Sequence, residues 1–333
     1  MIFENENADY AYAVGRIRAL ETRLLSRGIV DRMLEASDLD ELYRILGDTA
    51  YGASLSEGAE YEKMLQSEEA RTVDLFEELC LDPALSELAR YSYDFHNAKV
   101  LMKVSVAKED FGAALSECGN VGISLFRSAF EEEKFGVLPE VLQQTITRAL
   151  ESCYTKEDPR LIDLVTDQEM FKFYRKIVRG LGSEFLSQLF ALVVDLTNIK
   201  TLARLRRLEE DRDTLRLAIF EGGVVESGRY AAMAEEPWES LPHRFYATPY
   251  FTIVEEGYRH LEREGSFLIL EKRCNDYLLD WLRNTRYTAL GVEPLVAYFL
   301  AKRNELNILR LLFVGKRHGI EINRIKERLP DVF

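Results

Sequence analysis

One helical pattern occurs three times in this chain of 333 residues, and it constrains the fold more than any other feature. Asp94-Phe95-His96-Asn97-Ala98-Lys99-Val100-Leu101 matches Asp195-Leu196-Thr197-Asn198-Ile199-Lys200-Thr201-Leu202 at Asp, Asn, Lys and Leu. A looser copy, Glu305-Leu306-Asn307-Ile308-Leu309-Arg310-Leu311-Leu312, keeps acid, base and Leu but loses the Asn. The starts lie 101 and 110 residues apart, close to a third of the chain each time. This spacing divides one compact body into helical modules at 1–108, 109–214 and 215–333. Weaker echoes accompany it. Arg18-Ala19-Leu20-Glu21 matches Arg148-Ala149-Leu150-Glu151, with Leu270-Glu271 in the last third, and Thr49-Ala50-Tyr51 matches Thr248-Pro249-Tyr250.

At about 100° per residue the acid, the Asn and the Leu of each copy share one stripe, while the base points well away. Asp94 and Lys99, Asp195 and Lys200, and Glu305 and Arg310 are therefore too poorly placed to pair within their own helix, where partners sit three or four residues apart. Two readings stay open: these charges tie each helix to neighbouring elements, between successive modules included, or they are solvated surface groups. Three similar modules in one chain fit an approximate threefold arrangement or a short superhelix. Either builds a concavity suited to holding another protein.

The rest of the chain also reads as helix after helix. Ser37-Asp38-Leu39-Asp40 has the form of a capping box, with Gly47 where a C-terminal glycine belongs. Asp82-Pro83 and Asp158-Pro159 place an acid before a first-turn proline, and Leu138-Pro139-Glu140 and Glu293-Pro294 are variants of that start. Leu186, Leu189, Phe190, Val193, Leu196, Ile199 and Leu202 form one stripe at helical spacing, and Leu278, Leu279 and Leu282 belong to another. Sustained alternation of period two is absent, so the fold class is all-α. Glu221 to Tyr250 carries Gly222-Gly223, Gly228 and three prolines, and is the longest irregular or short-helix segment.

Charge and composition exclude several roles. Hydrophobic residues make up 47% and charged residues 30%, which fits a soluble globular protein. The net charge of −14 argues against nucleic acid as a partner, because phosphate binding needs clustered Lys and Arg on a basic face. The first residues lack the basic and apolar regions of a secretory signal. Uninterrupted apolar runs such as Phe190 to Val194 fall far short of the about 20 residues of a membrane helix. Cys80, Cys118, Cys153 and Cys274 form no CxxC pair and read as reduced thiols in a cytoplasmic protein.

Catalytic signatures are missing. There is no GxxxxGK[ST], GxGxxG after a strand, HExxH or GxSxG. His96, His243, His260 and His318 show no ligand spacing, and His96 stands two residues from Asp94, poor geometry for joint metal binding. Acid runs such as Glu131-Glu132-Glu133 and Glu255-Glu256 read as solvated faces. Basic clusters at Lys200, Arg204, Arg206 and Arg207, and at Arg310, Lys316, Arg317 and His318, read as local docking patches or balanced faces. No catalytic residue, cofactor or metal is expected.

Taken together, the segments resemble the C subunit of bacterial and archaeal V-type (A-type) ATPases, the relative of the eukaryotic d subunit. The resemblance runs through Arg16-Ile17-Arg18-Ala19-Leu20-Glu21-Thr22-Arg23-Leu24-Leu25, Leu46-Gly47-Asp48-Thr49-Ala50-Tyr51-Gly52 and Tyr93 to Lys99. It continues through Val194 to Lys200, Glu221-Gly222-Gly223, Glu293 to Leu300, Glu305, Leu309-Arg310 and Gly315-Lys316. Departures are small: the N-terminal segment differs, and Asn304 precedes Glu305 where an acid is common. The resemblance implies a funnel-like all-helical protein of three modules about a pseudo-threefold axis. It implies a non-catalytic rotor subunit on the cytoplasmic face of the membrane, monomeric when isolated, joining the central stalk to the membrane rotor ring and transmitting torque for proton or sodium transport. Membrane association is then indirect, through the ring. The competing reading is a cytoplasmic helical adaptor of stacked pairs, but a repeat near 100 residues far exceeds the 33–47 typical of such arrays.

Overall fold

A computed structural model describes residues 8–54, 60–108, 114–210 and 212–333. Among them, fifteen α-helices follow one another with short 3-10 turns between, and no strand occurs. They are α1 (Ala11–Glu21), α2 (Arg27–Glu35), α3 (Leu39–Gly47), α4 (Tyr61–Leu79), α5 (Pro83–Ala107), α6 (Ile123–Glu131), α7 (Glu140–Lys156), α8 (Arg160–Leu181) and α9 (Glu184–Arg207). The chain continues with α10 (Arg212–Ala218), α11 (Ser227–Ala232), α12 (Phe251–Glu264), α13 (Leu268–Arg283), α14 (Glu293–Arg317) and α15 (Ile322–Arg328). The segment 221–250 holds only α11 and two 3-10 turns, Met233–Glu235 and Trp238–Phe245.

Local chemistry sets several helix starts. Asp38 caps α3 by accepting from the Glu41 amide at 2.8 Å, and the Glu41 carboxylate accepts in return from the Ser37 amide at 2.8 Å. Asp82 accepts from the Ala84 amide at 2.9 Å with Pro83 in the first turn of α5. The Asp158-Pro159 start is displaced by one residue: Pro159 itself is the cap of α8, and Asp158 accepts from the Arg160 amide at 2.9 Å. Gly47 is still helical and Asp48 ends α3. A glycine is needed nearby for close approach, since a Cβ on Gly52 would lie 2.2 Å from the Gly47 carbonyl oxygen.

The chain divides into two compact units, 1–81 with 236–333, and 82–235. This division differs from three consecutive thirds because α5 packs onto later sequence while α14 packs back onto the first residues of the chain. In the first unit, Leu25, Val30, Met33, Leu42 and Leu46 pack against Leu306, Leu309, Leu312 and Phe313 of α14. In the second unit, Val121, Phe126, Ala129, Leu138 and Leu142 pack against Phe95, Ala98, Leu101 and Met102 of α5. The two cores share one register. Each residue of the first set stands 96 before its counterpart in the second, and the helix residues correspond one for one at their offset from Glu305 or Asp94. Aromatic contacts close the second core, with Tyr91 edge-on to Phe173 at 4.7 Å between ring centres.

Helix α9 corrects the inference from uninterrupted apolar runs, for it is long and apolar enough to cross a membrane. Most of that apolar stretch is buried within the protein, and Asp195 and Asn198 lie fully buried at its centre. Leu186, Leu189, Leu196, Ile199 and Leu202 of the expected stripe are buried, but Phe190 and Val193 are half-buried while Phe185, Leu192 and Val194 join the core. A helix buried nearly all round has no single apolar face.

Candidate functional site

The repeated acids are buried, and none pairs with the base five residues after it in the repeat. Asp94 is fully buried and accepts from two consecutive backbone amides, Asn120 at 3.0 Å and Val121 at 3.0 Å. Asp195, also fully buried, accepts from Val224 at 2.8 Å and Val225 at 3.2 Å. Three residues on, each Asn clamps the same loop from its other end. Asn97 accepts from the Ser116 amide at 2.9 Å and donates to the Ser116 carbonyl at 2.8 Å. Asn198 does the same to Phe220, at 2.8 and 2.9 Å. Ser116 and Phe220 lie outside any helix, and at Phe220, where both bonds are buried, an amide or carbonyl left without a partner would cost about 1–3 kcal/mol each.

A glycine completes each of these joins. A Cβ on Gly119 would lie 2.2 Å from Asp94 Oδ1, and one on Gly223 would lie 2.1 Å from Asp195 Oδ1. A carboxylate gripped by two successive amides needs the backbone folded closely around it, and only glycine leaves that room. Burial pushes the Asp94 carboxyl above the ordinary carboxylate range, although the amides of Val121 and Asn120 and the Asn120 side chain pull it down.

The third copy meets different backbone. Glu305 accepts from the Leu25 amide and the Tyr51 hydroxyl, and from Lys302 Nζ at 2.8 Å. Leu25 corresponds to Val121 and Val225, and each is followed by the cap residue of a helix: Ser26 for α2, Gly122 for α6, Glu226 for α11. The residue matching Ser116 and Phe220 is Leu20, inside α1, whose carbonyl already accepts from the Arg23 amide at 2.9 Å. No Asn is required, and Ile308 fills that register in the core. The Leu24 amide donates to the Glu21 carbonyl at 3.2 Å, which leaves Leu25 alone for the carboxylate, and Arg23 stands where the other loops have glycine.

The bases behave less uniformly. Lys99 pairs with Asp167 of α8, Arg310 reaches Glu62 at 3.8 Å with both side chains well exposed, and Lys200 is half-buried. Counted along the sequence, each acid reaches into the following third of the chain, and that of the last third reaches back into the first.

The receiving half of each join leaves only a faint mark on the sequence, and the repeated helices alone do not reveal it. The mark is Glu21-x-Arg23-x-Leu25, Glu117-x-Gly119-x-Val121 and Glu221-x-Gly223-x-Val225, spaced by 96 and 104 residues. The echo between Thr49 and Thr248 has a structural counterpart. Thr49 Oγ1 donates to the Leu46 carbonyl at 2.6 Å and accepts from the Tyr51 amide at 3.2 Å, and Thr248 does likewise with Phe245 at 2.7 Å and Tyr250 at 3.2 Å. His96 is exposed, with Nε2 2.8 Å from the Ala114 carbonyl oxygen. The four cysteines are free thiols, Cys118, Cys153 and Cys274 buried. Among the described residues no group of three His, Cys, Asp or Glu side chains converges as a metal site would.

Residues 13–328 match the family model described as ATP synthase (C/AC39) subunit. The chain is 25% identical over 320 residues to the C subunit of the V-type sodium ATPase of Enterococcus hirae, covering 95% of this chain and 97% of the relative. It is 24% identical over 342 residues to the C subunit of the A-type ATP synthase of Methanosarcina acetivorans, covering 97% and 93%. A third relative, the corresponding C subunit of the A-type ATP synthase of Pyrococcus furiosus, is 23% identical over 338 residues, covering 97% and 90%. A match running through all three helix–loop joins, on an all-helical chain, places this protein in the ATP synthase (C/AC39) subunit family.

Proposed function

We propose that this chain is a non-catalytic rotor subunit of a V-type or A-type rotary ATPase, set between the central stalk and the membrane rotor ring. It transmits torque between the ATP-handling part of the complex and ion transport, proton or sodium. It works at the inner face of the cell membrane and associates with the bilayer through the ring; alone it is a monomer. The observation that carries this reading is the family match over residues 13–328, with relatives named as the C subunits of a sodium ATPase and of ATP synthases.

The joins supply a physical reason for such a role. A coupling part must resist deformation, and packed helices locked by buried, hydrogen-bonded carboxylates are stiff. Each of the three modules is then tied to the next by an acid and a loop amide, and the last to the first, so a load applied to one module is passed to its neighbours. A net charge of −14 fits broad polar docking, which tolerates partners of unequal symmetry better than one deep pocket does.

The experiment is affinity isolation of the tagged chain from detergent-solubilised membranes of its source. Co-isolation of the ring and central stalk proteins is the expected result. Recovery of the chain without either, from membranes in which the complex is intact, would overturn the proposal.

A further inference from the structure

The second half of α8 carries a basic stripe. From Met170 to Ser183 the chain holds Lys172, Arg175, Lys176 and Arg179 and no acid, in a protein of net charge −14. At about 100° per residue the four cations share one face of the helix, over about 10 Å. The helix dipole accounts for Arg179 in the last turn, but not for the three cations placed before it. Lys176 and Arg179 are exposed and form no ion pair or hydrogen bond among the described residues. Lys172 meets Glu169 at 2.9 Å, a carboxylate it shares with Arg148 at 2.8 Å, and Arg175 meets Glu221 at 2.7 Å.

The stripe borders a cleft. Lys172 and Arg175, with Arg216 of α10, line a cavity of about 480 Å³, and Glu221 is the one acid beside these three cations. Phe171, Ile219 and Ala231 supply its apolar lining, and Phe171 is held by stacking on Phe220 at 4.1 Å between ring centres. Gly222, at φ +108°, lets one wall close in, since a Cβ there would lie 2.9 Å from the Phe190 ring and 3.3 Å from Arg175 Nε. The acids at the rim are loosely held. The Glu221 side chain is 73% exposed, and that of Asp213, 88% exposed, stands 3.5 Å from Arg216. Exposed pairs of this kind contribute little and give way to a better-placed carboxylate. With every partner counted, Arg148, Lys172, Arg175, Lys176, Arg179 and Arg216 stand against Glu169, Asp213 and Glu221, while Glu226 and Arg229 of the adjoining α11 segment offset each other. The surplus is positive. A concave, apolar-floored cleft beside a row of cations fits an extended acidic chain that sets one apolar side chain into it, whereas a flat bilayer surface cannot enter the concavity.

We propose that this face of α8 docks an acidic peptide segment of a partner protein, with its carboxylates on Lys172, Lys176 and Arg179 and an apolar side chain in the cleft. The test titrates the full chain with acetyl-Glu-Glu-Leu-Glu-Glu-Leu-amide and with its all-glutamine counterpart, followed by calorimetry at low ionic strength. Both peptides offer the same leucines, but only the first carries charge. Saturable binding of the acidic peptide, about tenfold or more tighter than the glutamine peptide and weakening as salt rises, is the expected result. Lys176→Gln combined with Arg179→Gln should weaken it about threefold or more, and the melting temperature should hold because both side chains are exposed and unpaired. Lys326→Gln, at an exposed position of α15, should leave it unchanged. The isolated chain is titrated, so the outcome is independent of assembly into a rotary complex. Equal affinity for the two peptides, no saturable binding of the acidic one, or undiminished affinity in the double variant would overturn the proposal. Retention of the chain by phosphatidylglycerol vesicles but not phosphatidylcholine vesicles, lost in the double variant while the peptides fail to bind, would overturn it in favour of a lipid surface.

Discussion

The join at Asp195 and the join at Glu305 do the same task on unlike backbone. The first receives a loop with no helix of its own, so Asp195 takes two amides, Asn198 satisfies both polar groups of Phe220, and Gly223 lets the loop wrap the carboxylate. The second receives the end of α1, whose amides are already bonded within its last turn. One amide is left for Glu305, Ile308 replaces the Asn, and Arg23 replaces the glycine. What a repeated helix must present is set by what the receiving backbone lacks. Divergence between copies is then a response to local hydrogen-bond supply, not decay of the repeat.

Lys302→Met offers the largest effect. It removes the ammonium shared by Glu68 and Glu305 and should cost about 3–5 kcal/mol in chemical denaturation. Leu192→Met, at the same register of α9, should cost less than about 1.5 kcal/mol, and equal losses would break the distinction between the two joins.

Next come the glycines. Gly223→Ala forces a methyl group against Asp195 Oδ1 and should lower stability by about 1–3 kcal/mol, whereas Arg23→Ala at the matching position should stay within about 0.5 kcal/mol. A tolerated Gly223→Ala would mean that the carboxylate does not need the close loop. Exchanging the central residues sharpens the same point. Asn198→Leu strands the Phe220 amide and carbonyl, and Ile308→Asn buries an amide beside backbone already satisfied; each should cost about 1–3 kcal/mol.

The smallest effect is one of pH. Burial raises the Asp94 carboxyl, so the folded protein holds that proton more tightly than the unfolded chain. Its contribution to stability is therefore greatest below the ordinary carboxylate value and declines as pH rises through the folded value. Asp94→Asn should flatten that part of the stability–pH curve, and an unchanged curve would remove burial as the dominant influence.

The helices were legible because each needs only local signals. Asp82-Pro83 opens α5 as its residues dictate, and the acid-x-x-Asn spacing puts both side chains on one buried stripe. The targets were not legible, since Val121, Val225 and Leu25 are reached across 27, 30 and 280 residues. Their common feature is a backbone amide, which every residue but proline possesses. Glycine marks two of the three loops, and the third needs none. The buried cluster was hidden for another reason: Glu68, Lys302 and Tyr51 resemble ordinary surface polar residues until α4 and α14 pack together.

The most direct measurement of the central claim is ATP-driven ion uptake by vesicles bearing the rotary complex assembled with and without this chain, alongside ATP hydrolysis. A torque-transmitting role predicts that omission abolishes uptake while hydrolysis by the separated head continues, and that adding the chain back restores uptake. Undiminished uptake by the complex lacking the chain would contradict the account.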